Sequence, residues 1–291
     1  MATMMEKKSA RILAFLLALI MIGSVLAYAF RKPTRAEERS IRFDMGNDLK
    51  DWLRYVPNSM EFVMYFNYST TNETLLNFIY NMTAKNIDPY AFYIFRPYVN
   101  AFKRFLIGSP ELYFIDVGRQ KVYFAYKEKR DYYGYDVLFG SFGRRTFALV
   151  KETHPAIYGN PDSVIDVLKV IANNGTSLEK EYYNYTKRIN GTFNFAMLVT
   201  GEVAKSSIKS NGTPIADFYF EGFRMNGSMF EKVVAIHFLG NYFFVHSNKT
   251  AYYYCKNYND GFSIAIMDDY NLTKLINTTP EMRAIIIKMG K

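Results

Sequence analysis

The sequence predicts an α+β protein in which an N-terminal transmembrane helix is followed by an ectodomain of antiparallel meander sheets with packed helices. Three observations predict this class: one long uncharged stretch near the N-terminus, short aromatic runs separated by Gly and Asn turns, and amphipathic stretches between those runs. With 49% apolar and 22% charged residues in 291, the chain can build a core and is not disordered. A single Cys excludes a disulfide scaffold, and a mean hydropathy of −0.13 excludes a polytopic membrane protein.

The uncharged stretch comprises residues 12–30, ILAFLLALIMIGSVLAYAF. As a helix it is about 28 Å long, close to the hydrocarbon thickness of a bilayer. It is apolar on every face, unlike the one-sided pattern of a core helix. We therefore expect the lipid bilayer to be its partner. The positive-inside rule does not orient it, because basic residues stand on both sides: Lys7, Lys8, Arg11, Arg31, Lys32 and Arg35.

A cleaved signal peptide is the alternative interpretation of this stretch. Ala27-Tyr28-Ala29 fits the small-x-small cleavage pattern, which would make Phe30 the first residue of a secreted chain. However, Phe30 extends the apolar run, and Arg31-Lys32 place positive charge directly after the site. These two features favour an uncleaved anchor.

Acceptor triplets for N-glycosylation, Asn-x-Ser/Thr, predict the side of the membrane that the rest of the chain faces. Eleven occur, several-fold more than chance gives for 22 Asn and 32 Ser and Thr in 291 positions. All follow the apolar stretch, at Asn67, Asn72, Asn81, Asn174, Asn184, Asn190, Asn211, Asn226, Asn248, Asn271 and Asn277. We expect a cell-membrane protein with its C-terminal ectodomain outside and most acceptors exposed, Asn67 being the expected exception. An Asn- and Thr-rich composition without glycans is the alternative.

The chain is predicted to divide into a cytoplasmic N-terminus (1–11), a transmembrane helix (12–30), a juxtamembrane linker (31–41) and two α+β halves (42–187 and 188–291). In the first half we expect a helix at 49–56, a strand at 61–68, a helix at 74–84, a helix from Asp88-Pro89 to Gly108 kinked at Pro97, hairpins at 111–127 and 135–151, and helices at 161–174 and 178–187. The Asn160-Pro161 pair marks the start of the helix with the clearest apolar stripe.

The second half repeats part of this order of strands, turns and helices. We expect a strand at 192–200, a hairpin of 217–225 and 229–238 around Asn226-Gly227, a turn at Gly240-Asn241 into a strand at 242–247, and a last helix starting at Thr279-Pro280-Glu281. Residues 135–151 and 231–247 share a strand–turn–strand pattern, which suggests that the two halves are related.

Two short segments carry a resemblance to known proteins. Tyr55-Val56-Pro57 precedes an apolar strand, and Gly159-Asn160-Pro161-Asp162-Ser163-Val164-Ile165 leads to an Asn-Gly-x-Ser-Leu turn. Together these pieces resemble uncharacterised archaeal and bacterial membrane-anchored extracytoplasmic proteins with tandem α+β halves. The resemblance implies the architecture and no activity. Scarce Cys beside many acceptor triplets also resembles the composition of surface proteins from thermophilic archaea.

Catalytic and metal-binding motifs are scarce. The sequence contains no phosphate-binding Gly-rich loop, no His-Glu-x-x-His and no Gly-x-Ser-x-Gly. A turn at Gly240-Asn241 would place His237 and His246 diagonally on one sheet face, but no third metal ligand is indicated. Cys255 lies in an aromatic run and is expected to be a buried, inert thiol. Asp268-Asp269 is expected to form a turn and helix cap. We therefore expect no catalytic residue, no cofactor and no metal.

Charge and aromatic content add little about partners. The net charge of +9 lies partly in the flanks of the apolar stretch, and elsewhere basic residues form pairs only, so no nucleic-acid partner is expected. Tyr clusters at 132–133, 182–183 and 252–254 suggest either stacking platforms or core packing, and packing is favoured because the only Trp, Trp52, lies on an amphipathic helix.

These observations favour a single-pass, membrane-anchored, N-glycosylated surface protein that is not an enzyme and that binds, scaffolds or contacts an unknown protein or envelope partner. The alternatives are an extracytoplasmic hydrolase whose carboxylates meet only in the fold, and an accessory subunit of a secretion or assembly system. A cleft lined by two or more carboxylates, or by His237 and His246, would favour the hydrolase. A large apolar surface patch would favour the accessory subunit.

Overall fold

The computed structural model describes residues 41–42, 49–95, 102–118 and 122–284. The chain divides into Met1–Ser40 and Ile41–Lys291. The predicted transmembrane helix at 12–30 and the cytoplasmic residues before it therefore lie outside the described part of the chain. Within that part, no helix is both long enough and apolar enough to cross a membrane.

Short helices alternate with many strands along the described chain. The helices are α1 (Leu49–Leu53), α2 (Glu73–Asn86), α3 (Pro89–Phe95), α4 (Pro161–Ile171), α5 (Leu178–Glu181), α6 (Tyr183–Thr186), α7 (Gly201–Ser207) and α8 (Leu272–Asn277). The strands are β1 (Ile41–Arg42), β2 (Phe62–Asn67), β3 (Arg104–Ser109), β4 (Leu112–Asp116), β5 (Glu128–Tyr132), β6 (Tyr135–Phe142), β7 (Arg145–Val150), β8 (Thr153–His154), β9 (Ala156–Gly159), β10 (Phe195–Thr200), β11 (Lys209–Ser210), β12 (Thr213–Pro214), β13 (Ala216–Asn226), β14 (Met229–Phe238), β15 (Tyr242–Phe244), β16 (Tyr252–Asn257), β17 (Phe262–Asp269) and β18 (Met282–Ala284).

One sheet of twelve strands organises the fold, in the order β16-β17-β14-β13-β10-β2-β3-β4-β9-β7-β6-β5. Every neighbouring pair in it is antiparallel. Smaller pairs form between β1 and β8, β11 and β12, and β15 and β18. The predicted α+β class with antiparallel meanders is therefore confirmed.

Both faces of the sheet are buried under helices. Side chains alternate along β2, so that Val63 and Tyr65 belong to one core while Met64 and Phe66 belong to the other. The first core takes apolar residues from α1, α4 and α5, including the fully buried Trp52. The second core takes them from α2, α3 and α8. The strands that are buried on both faces consequently read as continuous apolar runs rather than as alternating ones.

The locally encoded elements agree with the predictions. Asn160 caps α4 by accepting a hydrogen bond from the Asp162 backbone nitrogen at 2.9 Å, with Pro161 at the first helical position. Asp88 accepts from the Tyr90 nitrogen at 2.8 Å at the start of α3. The hairpin of β13 and β14 also forms, although its two-residue loop is Gly227-Ser228, because Asn226 still pairs with Met229.

Four predictions in the first half are wrong in detail. The segment 122–127 is not a strand, because both edges of β4 are already paired with β3 and β9. Gly108 does not end a helix: it lies within β3, opposite Val63. The loop between β6 and β7 has two residues, Gly143-Arg144, rather than three. The helix expected at 178–187 is broken at Tyr182 into α5 and α6. The kink expected at Pro97 lies outside the described residues.

Three predictions in the second half are wrong, two of them because distant segments compete for pairing. No hairpin forms at Gly240-Asn241, since β14 pairs with β17 and β15 pairs with β18. The similarity of 231–247 to 135–151 therefore does not extend to strand pairing. Residues 282–284 form β18 rather than a helix, because β15 offers them a strand edge. Asp268 and Asp269 end β17, and Asn271 is the residue that caps α8.

The two predicted halves contribute contiguous blocks to the sheet. Residues 42–187 supply β2-β3-β4-β9-β7-β6-β5, and residues 188–291 supply β10-β13-β14-β17-β16. The blocks meet where β2 pairs with β10, with Met64 opposite Met197. In the first block β2 is followed by α2, α3 and the strand pair β3–β4, and the next strand in the sheet, β9, leads into α4. In the second block β10 is followed by α7 and later by the strand pair β13–β14, and the next strand in the sheet, β17, leads into α8. The relation between the halves stays a prediction.

Candidate functional site

The eleven acceptor asparagines lie mostly at the surface. Nine side chains are exposed, Asn72 is half-buried, and Asn67 is buried with 3% exposed. Asn67 ends β2, and its Oδ1 accepts a hydrogen bond from the Ser69 nitrogen at 2.9 Å. The expected exposure of most acceptors is met, while their glycosylation stays a prediction.

Several acceptor side chains also stabilise the fold. Asn72 and Asn271 cap α2 and α8 through Oδ1, which leaves the Nδ2 atom that a glycan would occupy outside these bonds. Asn226 differs, because its Nδ2 atom donates to Glu231 at 3.3 Å and to Asp268 at 3.0 Å. The acceptor asparagines therefore share the same triplet but differ in whether their Nδ2 atom is free to carry a glycan.

The two histidines expected to be neighbours are not brought together. Without a hairpin at Gly240-Asn241, His237 stands in β14 opposite Phe218 and Phe262. His246 follows β15 in a different pair of strands, and its Nε2 lies 3.0 Å from Asn248 Oδ1. The expected diagonal placement of His237 and His246 on one sheet face is therefore wrong.

His237 is part of a different cluster, beside an open cleft of about 450 Å³. A bulge in β13 leaves Asp217 between two registers, and its Oδ1 lies 2.6 Å from His237 Nδ1. The Asp260 carbonyl oxygen lies 3.0 Å from His237 Nε2. Arg188 forms an ion pair with the Asp260 carboxylate at 2.7 Å. We call this the His237 cleft, lined by Glu181, Tyr182, Asn184, Tyr185, Arg188, Asp217 and Asp260.

The hydrogen bonds of His237 determine its protonation. A carbonyl oxygen only accepts, so Nε2 carries a proton, and the Asp217 carboxylate at Nδ1 accepts as well. The bond to Asp217 raises the pKa of His237, and the Arg188 guanidinium lowers the pKa of the Asp260 carboxyl. The cluster thus favours a protonated His237 whose two ring nitrogens both make hydrogen bonds. This arrangement suits a structural ion pair better than a general base.

Aromatic rings pack against His237 and Arg188. Tyr185 stacks on His237 with ring centroids 4.6 Å apart and on Phe262 at 5.2 Å. Arg188 lies over the Tyr258 ring, with Cζ 4.4 Å from the centroid. Burial raises the pKa of Tyr185 to about 12, with the carboxylates of Asp217 and Asp260 adding to the rise. Glu181 is also occupied, because it accepts from Asn58 Nδ2 at 2.7 Å.

A second cleft, of about 360 Å³, lies over β2, β3 and β4 next to the start of α3, and Arg145 of β7 also lines it. Arg145 reaches into it and pairs with Asp88 at 2.9 Å and with Glu111 at 2.6 Å. Burial raises the pKa of Glu111. Tyr113 hydroxyl accepts from the Asp88 nitrogen at 3.2 Å. We call this the Arg145 cleft. Both clefts therefore contain two or more carboxylates, the feature that favours the hydrolase. Asp88, Glu111, Asp217 and Asp260 pair with Arg145, His237 or Arg188 of the chain itself, and Glu181 accepts from the Asn58 amide.

The three Tyr clusters divide between core and surface. Tyr253 is buried, while Tyr133, Tyr183, Tyr252 and Tyr254 are exposed by about half. Trp52 is fully buried against Tyr65, with ring centroids 4.6 Å apart. An exposed group that sequence patterns did not single out lies beside the Arg145 cleft, where Phe142 packs on Tyr90 at 4.9 Å and on Tyr93 at 6.1 Å.

Cys255 and the Asp268-Asp269 pair have structural surroundings. Cys255 is half-buried in the edge strand β16, where burial raises the pKa of its thiol. Asp269 accepts from the Asn271 nitrogen and from Lys274 Nζ, at 3.0 and 2.6 Å. Asp268 is buried directly opposite Glu231, and burial raises the pKa of both carboxyls. Within the described residues, no group of three His, Cys, Asp or Glu side chains could hold a metal ion.

The two clefts are what sequence reasoning missed. Asp88 and Arg145 are 57 residues apart, and Arg188 and Asp260 are 72 apart. No periodicity or motif links positions so distant, because strand order alone brings them together. The signal that the sequence does carry is chemical: Asp88 precedes Pro89 at a predicted helix start, and His237 is one of three histidines.

Comparison with known proteins places the chain in a family. A family model described as an N-terminal domain, AF_2048_N, matches residues 44–172. An uncharacterized protein of the archaeon Archaeoglobus fulgidus is 37% identical over 298 residues, covering 97% of this chain and 95% of the relative. The chain belongs to the family of this archaeal protein. The match spans nearly all of both chains, and the expected relationship to an archaeal protein is confirmed.

Solved structures show a weaker similarity. Crystal form I of TP0453 has a TM-score of 0.43 and 8% identity, covering 75% of this chain and 91% of that chain. Crystal form IV of TP0453 has a TM-score of 0.39 and 9% identity, covering 78% and 96%.

Proposed function

We propose that this protein is a single-pass, membrane-anchored, N-glycosylated surface protein whose ectodomain is a non-enzymatic binding or scaffolding module. The observation that carries the proposal is the set of eleven acceptor triplets that all follow the apolar stretch, nine of them with exposed side chains. A glycan needs solvent around its Asn, and it is attached outside the cytoplasm. Residues 12–30 are long enough to span the bilayer that separates the two compartments.

The chemistry of the two clefts supports binding over catalysis. A general base needs a free nitrogen or oxygen at the position of the reacting proton. His237 has both ring nitrogens engaged, and Arg145 holds Asp88 and Glu111. These contacts engage His237, Asp88 and Glu111 within the fold, which suits recognition of a partner better than proton transfer.

The anchor is tested by fractionation of the full chain expressed in an archaeal host. The protein should remain in the membrane fraction after high-salt and carbonate washing, with its N-terminus intact. Release by carbonate together with a mature N-terminus at Phe30 would identify a cleaved signal peptide and a secreted protein.

The hydrolase remains the second candidate, favoured by Glu181, Asp217 and Asp260 around one cleft. Its test is turnover of p-nitrophenyl glycosides and esters by the purified full chain. Activity that is lost in Asp217→Asn and kept in Asp166→Asn, whose carboxylate pairs with Lys169 on α4, would replace the binding proposal. No turnover with either substrate class is the result we expect.

A further inference from the structure

We propose that the end of the sheet formed by β5, β6 and β7, together with α3, is the surface through which two copies of this chain associate. This acceptor-free end, as we call it, contains the aromatic group around Phe142 and borders the Arg145 cleft, into which Arg145 of β7 extends. The proposal rests on the proposed function, since it takes glycosylation as the reason why one surface is left bare.

The distribution of acceptor triplets singles out this end. No triplet occurs in residues 82–173, although this range makes up more than a third of residues 41–291. The range contains every strand from β3 to β9 and the helices α3 and α4. Because of the strand order, these elements lie together on one side of β2 rather than being scattered through the fold. A glycan on a contact surface would keep a protein partner away. The acceptor-free end is therefore the surface on which a protein can make close contact.

Exposed aromatic side chains occupy the same end. Tyr93 is 70% exposed, Phe142 52% and Phe92 41%. Arg145 lies over Tyr90, with Cζ 5.1 Å from the ring centroid. Tyr and Arg are the residues that most often dominate the binding energy of protein interfaces. Exposed aromatic rings beside Arg145, which is fixed by its ion pairs with Asp88 and Glu111, are therefore typical of a protein contact surface.

Association by strand addition does not suit this end. The edge strand β5 carries four consecutive charged residues, Glu128-Lys129-Arg130-Asp131. Such charges are a common means by which proteins prevent edge-to-edge pairing of sheets. The contact is therefore assigned to the side chains of α3 and of the β6–β7 hairpin rather than to the backbone of β5.

Charge complementarity points to a second copy as the partner. The Arg145 cleft contains two carboxylates, Asp88 and Glu111, for one guanidinium. The neighbouring Arg144 is exposed at the tip of the β6–β7 hairpin, and no described carboxylate pairs with it. In a twofold contact the same surface meets itself, so each Arg144 can face the partner copy's cleft. The acceptor-free end thus carries both members of a reciprocal ion pair.

The test compares the mass in solution of four full-length proteins from a glycosylating archaeal host, purified in detergent, by light scattering. Arg144→Asn removes the charge and creates an Asn-x-Thr triplet with Thr146. Arg144→Gln removes the charge only. Lys205→Asn is the matched control, because it removes one charge and creates a triplet with Ser207 in the acceptor-bearing half. The ion pair of Lys205 with Glu202 is exposed and contributes little to stability.

We expect the wild type and Lys205→Asn to be dimers and Arg144→Asn to be a monomer. Arg144→Gln should form a dimer whose dissociation constant is roughly tenfold higher than that of the wild type. A monomeric wild type, or a glycosylated Arg144→Asn that remains a dimer, would overturn the proposal. Intact mass separates this failure from that of the proposed function. If no variant carries a glycan, glycosylation is contradicted, while Arg144→Gln still tests the dimer through charge.

Discussion

Asn226 carries one of the eleven acceptor triplets, yet its amide nitrogen is already used twice inside the fold. Nδ2 donates to Glu231 and to Asp268, which lie directly opposite each other on β14 and β17. A glycan replaces one of the two hydrogens of Nδ2 and would leave one carboxyl oxygen without its donor. The cost of an unpaired buried polar group is about 1–3 kcal/mol.

We therefore predict that Asn226 stays unmodified in molecules that carry glycans elsewhere. Glycopeptide mass spectrometry of the full chain should find the Asn226 peptide bare and the Asn211 peptide modified. Asn211 is the internal control, because it lies exposed in the turn between β11 and β12. A largely occupied Asn226 would mean that the network around Glu231 rearranges at little cost.

His237 makes stability depend on pH in a defined direction. Its pKa is raised, mainly by the hydrogen bond to Asp217, so the folded state holds a proton more tightly than the unfolded state does. The resulting stabilisation is fully present below the ordinary pKa of histidine, near 6.5, and is lost as pH rises through the raised pKa. A hydrogen bond to a charged group of this kind contributes about 1 kcal/mol when partly exposed.

The prediction for Asp217→Asn follows from this sign. The free energy of unfolding should fall by about 1 kcal/mol relative to wild type at pH 5.5, and this difference should shrink toward pH 9. Asp166→Asn serves as the control, because it makes the same Asp-to-Asn change in an exposed ion pair with Lys169 on α4. A difference between wild type and Asp217→Asn that is the same at both pH values would contradict the role assigned to His237.

At the scale of single elements, α4 gives the clearest case of local encoding. Asn160 accepts from the Asp162 nitrogen, and Pro161 fixes the first helical residue. Removing such a cap costs about 1 kcal/mol. We expect Asn160→Ala to lower the free energy of unfolding by that amount and Asn160→Asp to retain most of it, as measured by denaturant titration. Equal losses in the two variants would show that the cap oxygen is not what stabilises the helix.

The helix α7 shows what local reasoning cannot find. It has no capping side chain of its own; instead the carboxylate of Glu61, before β2, accepts from the Glu202 and Val203 nitrogens at 3.1 and 3.0 Å. Gly201 has a φ of +58°, and a Cβ there would lie 2.3 Å from Glu61 Oε1. The cap is 141 residues away in sequence, so no pattern near α7 predicts it.

The same distinction separates the correct strand predictions from the wrong ones. The hairpins β6–β7 and β13–β14 form because Gly143 and Gly227, both with positive φ, supply the turn. The wrong predictions at 122–127, at the Gly240-Asn241 hairpin and at 282–284 concern segments whose partner is decided by competition between distant strands. The residues of both clefts fall in the second group, since each cleft is assembled from strands far apart in sequence.

At the scale of the whole molecule, the two predicted halves share one sheet. The pair of β2 with β10 is continuous along five residue pairs, from Phe195 opposite Phe66 to Val199 opposite Phe62. Both cores extend across this junction, because apolar residues of β2 and β10 belong to the same clusters. Neither half can unfold without exposing apolar surface of the other.

We therefore predict one cooperative unfolding transition for residues 41–291 rather than two. Far-ultraviolet circular dichroism, together with hydrogen exchange of peptides from β6 and from β14, should report the same midpoint in the full chain. Separate midpoints for the two peptides would indicate halves that fold independently, in conflict with the shared cores.

The central claim is that the body of this chain faces the outside of the cell and carries glycans. Intact mass spectrometry of the native protein, isolated from the membranes of its own host, is the test. We expect masses above the 33.9 kDa of the bare chain, separated by whole oligosaccharide units. A single species at 33.9 kDa would contradict the claim and remove the support for an external ectodomain.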